Sequence, residues 1–190
     1  MKELIKTLIF VAVALLLAGA AFVRIPERTR PSELFNDQGK PFFPDFKDPL
    51  ACTELEVIDY DPSTASVSPF KVMLQNGKWV LPSYHNYPAD AKDRLAKTAA
   101  GVIGLTKDTI RSDRVEDWEE LGVIAPDDEK STTLKGRGKR VTLRDVSGKV
   151  LADFIIGNEV RDRSGQRYVR VPGQKRTYGV NVKVDLSTKF

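Results

Sequence analysis

The single histidine and single cysteine have the most versatile chemistry of the residues in this 190-residue chain. His85 lies within Tyr84–Tyr87, and a catalytic histidine needs a nucleophile or an orienting carboxylate at hydrogen-bond distance. The sequence identifies no such partner, which favours an ordinary loop residue. Cys52 follows a Pro-rich stretch, and an unreactive, sequestered thiol is favoured there. One cysteine and one histidine exclude an intrachain disulfide and a Cys/His zinc site. No cofactor or metal is predicted.

Two acidic stretches, Glu116–Glu120 and Asp127–Glu129, could supply paired carboxylates. Such pairs hydrolyse glycosides or bind a divalent cation. Consecutive residues on a helix point to different sides, and neither stretch has the spaced ligands and glycine of a calcium loop. Solvated faces are therefore the favoured interpretation, and the protein is predicted not to be an enzyme. A hydrolase of envelope glycans or lipids stays open as an alternative.

The one basic run, Lys135–Arg140, alternates positive charge with glycine. This pattern can hold phosphate through backbone N–H groups and side chains, which makes Arg137, Lys139 and Arg140 candidate contacts for an anion or a phospholipid. The run is not a Walker loop, and a turn that enters a strand explains it equally well. The net charge of the whole chain is only +4, so the sequence lacks the clustered basic footprint of a nucleic-acid-binding protein.

Most of the chain after residue 50 alternates apolar and polar residues, as β-strands do. Asn76-Gly77 is the favoured pair for a two-residue hairpin turn. One amphipathic helix is predicted to open at Pro88–Asp90, with Asp90 as its cap, and to end near Gly104. Strands are predicted over Glu54–Tyr60, Phe70–Leu74, Lys78–Leu81, Thr109–Arg111, Arg140–Asp145, Val150–Ile156, Arg167–Val171 and Thr177–Val182, and a short helix over Val115–Leu121.

An apolar block, Leu8–Val23, contains no polar side chain. With the residues just before it, this block makes a helix of about 20 residues, enough to cross a bilayer. Residues 1–23 are therefore predicted to be a signal anchor and transmembrane helix, and signal-peptide cleavage near Ala20 is the alternative. The predicted fold class is α+β: the transmembrane helix, then a mostly antiparallel β-sheet domain with one amphipathic helix packed on it. The predicted location is the membrane, single-pass with the C-terminal domain extracytoplasmic, or the periplasm or exterior after cleavage.

Residues 24–50 are predicted to form a Pro-rich arm that precedes the extracytoplasmic domain, residues 51–190. The arm has four phenylalanines within twelve positions, which is rare in a free linker: Phe35, Phe42, Phe43 and Phe46. Packing of the arm along its own domain is the favoured explanation. The alternative is that these four side chains contact a protein partner or the membrane surface.

The order of several short motifs resembles one family. They are Gly77-Lys78-Trp79, Pro88-Ala89-Asp90, Trp118–Val123 with Pro126, Val141-Thr142-Leu143, Ile156-Gly157, Tyr168-Val169-Arg170 and Tyr178. Together they resemble the membrane-anchored domain of unknown function 4340, whose members are often found with ABC-transporter components of the gliding-motility type. The resemblance implies an anchored extracytoplasmic domain without a known active site, auxiliary to such a transporter or to an envelope complex. It supplies no catalytic residue. Together with the anchor and the Phe-rich arm, the lack of assembled chemistry predicts a non-enzymatic binding or scaffolding module.

Overall fold

The computed structural model describes residues 4–7, 11, 13, 14, 37–161 and 163–182. The chain divides into two units, Met1–Asn36 and Asp37–Phe190. In the first unit, the described residues are helical and exposed to solvent. Most of the apolar block, the predicted cleavage position Ala20 and the arm residue Phe35 lie outside the described residues.

The predicted fold class is wrong. Within residues 37–161 and 163–182, nine strands form one mostly antiparallel sheet, and the α-helices are limited to Lys92–Ile103 and Trp118–Leu121. Among the described residues, no helix combines the length and apolarity needed to cross a membrane, whereas the predicted fold class begins with one. The helices are few because period-two alternation, which specifies strands, runs through most of the second unit.

Chain neighbours pair with each other through most of the sheet. The strands are β1 (Glu54–Asp61), β2 (Ser66–Gln75), β3 (Lys78–Leu81), β4 (Tyr87–Pro88), β5 (Thr109–Ser112), β6 (Lys139–Arg144), β7 (Val150–Glu159), β8 (Gln166–Arg170) and β9 (Thr177–Asn181). Their order is β4-β3-β2-β1-β6-β7-β8-β9-β5, and the paired strands are antiparallel. Asn76 and Gly77 have φ of 51° and 75°, as the predicted hairpin turn requires, so this hairpin is confirmed.

The larger core lies between the sheet and α1 (Lys92–Ile103). Leu55 and Val57 of β1 stand on the same sheet face as their partners in β2 and β6, and this face receives the buried α1 residues Leu95, Ala99 and Val102. We call it the helix face. Because side chains alternate along each strand, the intervening residues point to the opposite face.

The helix α1 begins later than the sequence predicts. Ala91 occupies the N-cap position and no side chain caps the first turn, so the predicted capping role of Asp90 is wrong. Gly104 is the C-cap residue, and its backbone N–H donates to the carbonyl oxygen of Ala100, which confirms the predicted end. Burial of the apolar stripe therefore stabilises this helix more than a cap does.

The opposite face, which we call the loop face, is covered by the segment that contains α2 (Trp118–Leu121). A smaller apolar cluster there joins Leu121 to Ile155 and Tyr168 of the sheet. The segment approaches the sheet so closely that a Cβ on Gly157 would lie 2.4 Å from the carbonyl oxygen of Leu121. Glycine at that position therefore sets the distance between segment and sheet.

Candidate functional site

The phenylalanines considered as possible partner contacts pack in or against the core wherever the structure describes them. Phe42 and Phe46 are only 7% and 3% exposed. Phe42 makes an edge-to-face contact with Tyr178, with ring centroids 5.2 Å apart, and the half-buried Phe43 lies 5.8 Å from the Phe154 ring. Phe42 and Phe46 are therefore buried in the domain and Phe43 packs partly against it, so this part of the arm lies along its own domain.

Arg137, a predicted anion contact, uses its guanidinium inside the protein. Its Nη1 donates to the carbonyl oxygens of Ala125 (3.2 Å) and Pro126 (3.0 Å), and its Nη2 donates to that of Ser131 (2.8 Å). The guanidinium also lies over the ring of Tyr60, 4.9 Å from its centroid. Arg137 therefore holds the loop against the sheet.

Lys139 and Arg140, the other predicted anion contacts, form ion pairs within the chain. Lys139 Nζ lies 2.9 Å from a carboxylate oxygen of Asp59. Arg140 forms ion pairs with Asp153 and Asp127 at 2.8 Å each. Its hydrogen bonds to Asp153 are the main cause that raises the pKa of the guanidinium, and the negative charges of both carboxylates add to the effect. The charges of Lys139 and Arg140 are thus compensated by neighbouring carboxylates.

In the described part of the chain, the acidic stretch Glu116–Glu120 lies largely in solvent, and the thiol is buried. Glu116 is largely exposed, and Asp117 accepts a hydrogen bond from the Ser112 hydroxyl at 2.6 Å. No cluster of three or more potential metal ligands occurs among the described residues. Cys52 is 2% exposed, and burial raises the pKa of its thiol to about 11, which keeps it protonated at neutral pH.

An open cavity of about 720 Å³ lies on the helix face, between α1 and strands β1 to β3. Its floor is aliphatic and aromatic, made by Leu55, Val57, Phe70, Val72 and Leu95. The volume is within the range of about 300–1,000 Å³ that ligand pockets have. This cavity is the candidate functional site.

The mouth of the cavity carries polar and aromatic side chains. Tyr84 and Tyr87 are 60% and 67% exposed, and His85, Asp90 and Arg94 complete the rim. The backbone turns sharply here, because His85 and the next residue both have positive φ, 54° and 57°. Two consecutive non-glycine residues in this conformation are uncommon, and the turn directs both tyrosines to the mouth.

Among the described strands, the one that forms a wall of the cavity is paired along only part of its edge. β2 has ten residues but β3 has only four, and β3 pairs with β2 only at Met73–Gln75. The Leu74 N–H donates to Thr53 on the β1 side, so odd-numbered residues of β2 direct their backbone groups away from β1. Pro69, which has no N–H, occupies such a position, and Val67 is 44% exposed. At residues 66–69 no described strand pairs with this edge.

The sequence did not predict the cavity. Of its lining residues, only His85 was considered as a candidate, and it was interpreted as a loop residue. The one local signal is the cluster of aromatic and polar residues at Tyr84–Tyr87, which is unusually rich for a connection between a strand and a helix. The remaining lining residues come from five separate elements, and their apolar character indicates only that they face a core.

A family model described as "Domain of unknown function (DUF4340)" matches residues 79–189. The match covers more than half of the 190 residues, so the chain belongs to this family. No curated protein and no solved structure matches the chain.

Proposed function

We propose that this member of the DUF4340 family is a non-enzymatic binding module, and that its apolar cavity takes apolar side chains of a partner protein. The observation that carries the proposal is an open apolar cavity with two largely exposed tyrosines at its mouth. Tyrosine is enriched at protein interfaces, where it buries a large ring and keeps its hydroxyl hydrogen-bonded. Arg94 and Asp90 at the rim supply the polar surround that interfaces have.

The partner segment is extended and adds a strand to β2. No described strand pairs with the edge of β2 at residues 66–69, and Phe70 and Val72 of the same strand line the cavity. In an antiparallel pair, residues directly opposite each other share a face. A partner residue opposite Phe70 therefore points toward the cavity, while backbone hydrogen bonds to β2 supply affinity.

The partner is a component of an ABC-type transporter or of another envelope complex, and the contact forms outside the cytoplasm. This part of the proposal has two supports. One is the resemblance of the motifs to a family whose members are often found with such transporters. The other is the signal-like order of basic, apolar and small residues up to Ala20.

Photo-crosslinking in living cells tests the cavity. A photo-activatable residue in place of Tyr87 should give one discrete protein adduct. The same residue in place of Val146, which is 89% exposed and does not line the cavity, should give none. Equal adducts from both positions, or none from position 87, would refute the cavity as the contact.

Two variants at one position test strand addition. Val67→Pro removes an N–H that faces away from β1 and leaves the β1 pairing intact, whereas Val67→Ala shortens only the side chain. Loss of one backbone hydrogen bond, about 1 kcal/mol, should reduce the position-87 adduct about fivefold in Val67→Pro. Val67→Ala should keep the adduct. An adduct that is insensitive to Val67→Pro, in a protein with an unchanged thermal midpoint, would refute strand addition but not the cavity.

A further inference from the structure

We infer that the loop face carries a second binding site, which takes a small zwitterion of the amino-acid or short-peptide class. The site is a cleft of about 430 Å³, lined by β5, β8, β9, the end of α2 and the connection between β7 and β8. The apolar cavity lies on the other face of the sheet and shares no lining residue with this cleft. The inference therefore goes beyond the proposed function and does not depend on it.

Three arginines supply the positive side of the cleft. Arg111 comes from β5, and Arg161 and Arg163 come from the connection between β7 and β8. Arg161 Nη2 lies 3.9 Å from a carboxylate oxygen of Glu120, a long and exposed pair. Within the described part of the chain, the guanidinium groups of Arg111 and Arg163 form no ion pair. Guanidinium groups that converge on a cleft are suited to bind a carboxylate.

The same cleft is also lined by hydrogen-bond acceptors, which a ligand with a hydrogen-bond donor would satisfy. Glu120 and Glu159 contribute carboxylates, and the Glu159 side chain accepts the Gly165 N–H at 3.3 Å. The side-chain oxygen of Gln166 is buried and has no hydrogen-bond partner among the described residues. A buried acceptor without a donor is unfavourable, and an ammonium or amide N–H of a ligand would satisfy it.

A glycine in the middle of β9 keeps the cleft open. Gly179 stands opposite Tyr168, and a Cβ on it would lie 3.6 Å from Val160 and 4.0 Å from the Gln166 side-chain oxygen. These are ordinary van der Waals distances, and the φ of Gly179 is not positive, so neither packing nor backbone conformation requires glycine here. A glycine inside a strand often marks close approach of a ligand, and here it leaves that space beside Tyr168.

Both signs of charge and the size of the cleft identify the ligand class. A simple anion would satisfy the arginines but would be repelled by Glu120 and Glu159. A zwitterion satisfies both, with its carboxylate at the arginines and its ammonium at the glutamates and Gln166. The volume is in the lower part of the range for ligand pockets, which suits a dipeptide better than a larger ligand.

Calorimetric titration of the full-length chain with three probes tests the inference. The probes are the dipeptide Ala-Ala, its N-acetyl form without the ammonium, and its C-terminal amide without the carboxylate. Ala-Ala should bind, and each blocked form should bind about tenfold more weakly, because each loses a charge-assisted contact. No heat of binding from Ala-Ala would overturn the inference. Equal binding of the N-acetyl form would overturn it too, since the site would then be one for a carboxylate alone.

Two variants locate the binding. Gly179→Val fills the cleft, and Arg111→Gln removes one exposed charge without touching the core; each should abolish or weaken Ala-Ala binding. Tyr87→Ala, on the other face, should bind Ala-Ala like the parent protein, and Arg111→Gln should keep the position-87 crosslink. Unchanged Ala-Ala binding in a folded Gly179→Val or Arg111→Gln protein would overturn the assignment of the site.

Discussion

Replacing Phe46 by alanine decides whether the arm is part of the folded core. Phe46 is 3% exposed and belongs to the core between sheet and α1. Removal of a buried phenylalanine side chain loses its transfer free energy and leaves a cavity, so the free energy of unfolding should fall by about 3–5 kcal/mol. In a domain of this size each kcal/mol lowers Tm by about 2–4 °C, which gives an expected fall of about 6–20 °C. Tyr87→Ala, at a position 67% exposed, is the matched control and should change stability by less than about 0.5 kcal/mol.

Urea unfolding followed by tryptophan fluorescence measures both variants. Trp79 and Trp118 are both in the second unit, so their emission reports the structure whose core is perturbed. The urea midpoint of Phe46→Ala should fall without a large change in slope. If Phe46→Ala unfolds at the parent midpoint, Phe46 is not packed in the core, and the arm becomes available again as a contact surface.

Two further perturbations probe the packing of the domain. Burial acts to raise the pKa of Asp37, but the hydrogen bond from Tyr178 and the charges of Lys107 and Arg176 outweigh it, so the pKa is lowered. The parent protein should therefore have a larger free energy of unfolding than Asp37→Asn. This difference should be greatest above about pH 4 and should shrink as the pH falls through the folded-state pKa, which urea unfolding at several pH values measures. Gly157→Ala should lower the free energy of unfolding by about 3 kcal/mol, because backbone must move. Gly148→Ala, at φ 83° with open space around it, should lower the free energy of unfolding by only about 1 kcal/mol. Equal losses in Gly157→Ala and Gly148→Ala would refute the close approach of Leu121 to Gly157.

Elements fixed by local chemistry could be predicted from the sequence. The β2–β3 hairpin is one, because Asn76 and Gly77 tolerate the positive φ that a two-residue turn needs. The short helical segment is another: it ends at Gly122, which has φ of 72°. The predicted strands fall within a few residues of the observed ones, because alternation depends only on neighbouring side chains.

Features that depend on the register between strands could not be predicted. Tyr168 and Tyr178 lie on neighbouring strands, but Tyr168 pairs with Gly179 and Val169 pairs with Tyr178. The two tyrosines therefore stand on opposite faces, Tyr178 in the larger core and Tyr168 in the smaller cluster. A shift of one residue changes the face of every side chain, and the sequence alone does not set that register.

Both clefts were hidden from sequence reasoning for a related reason. Arg111 and Gly179 become neighbours only because β5 joins the sheet edge beside β9, far from its chain neighbours. The apolar cavity needs β2, β3 and α1 to meet, and each of its floor residues reads as ordinary core. Three-dimensional assembly, not local composition, creates the empty space in both cases.

The residues that carry the family resemblance act mainly on structure. Trp118 stacks on the buried guanidinium of Arg170 at 3.8 Å, and its indole N–H donates to the carbonyl oxygen of Lys175. Burial lowers the pKa of Arg170 to about 10, so the guanidinium stays charged at neutral pH and is held by carbonyl oxygens and the indole face. With the close approach at Gly157, these contacts fasten the segment containing α2 to the loop face. The separation from the two clefts is incomplete, because Asp90 of one motif lines the apolar cavity and Tyr168 of another lines the cleft on the loop face, whereas Tyr87 and Arg111 lie outside the motifs.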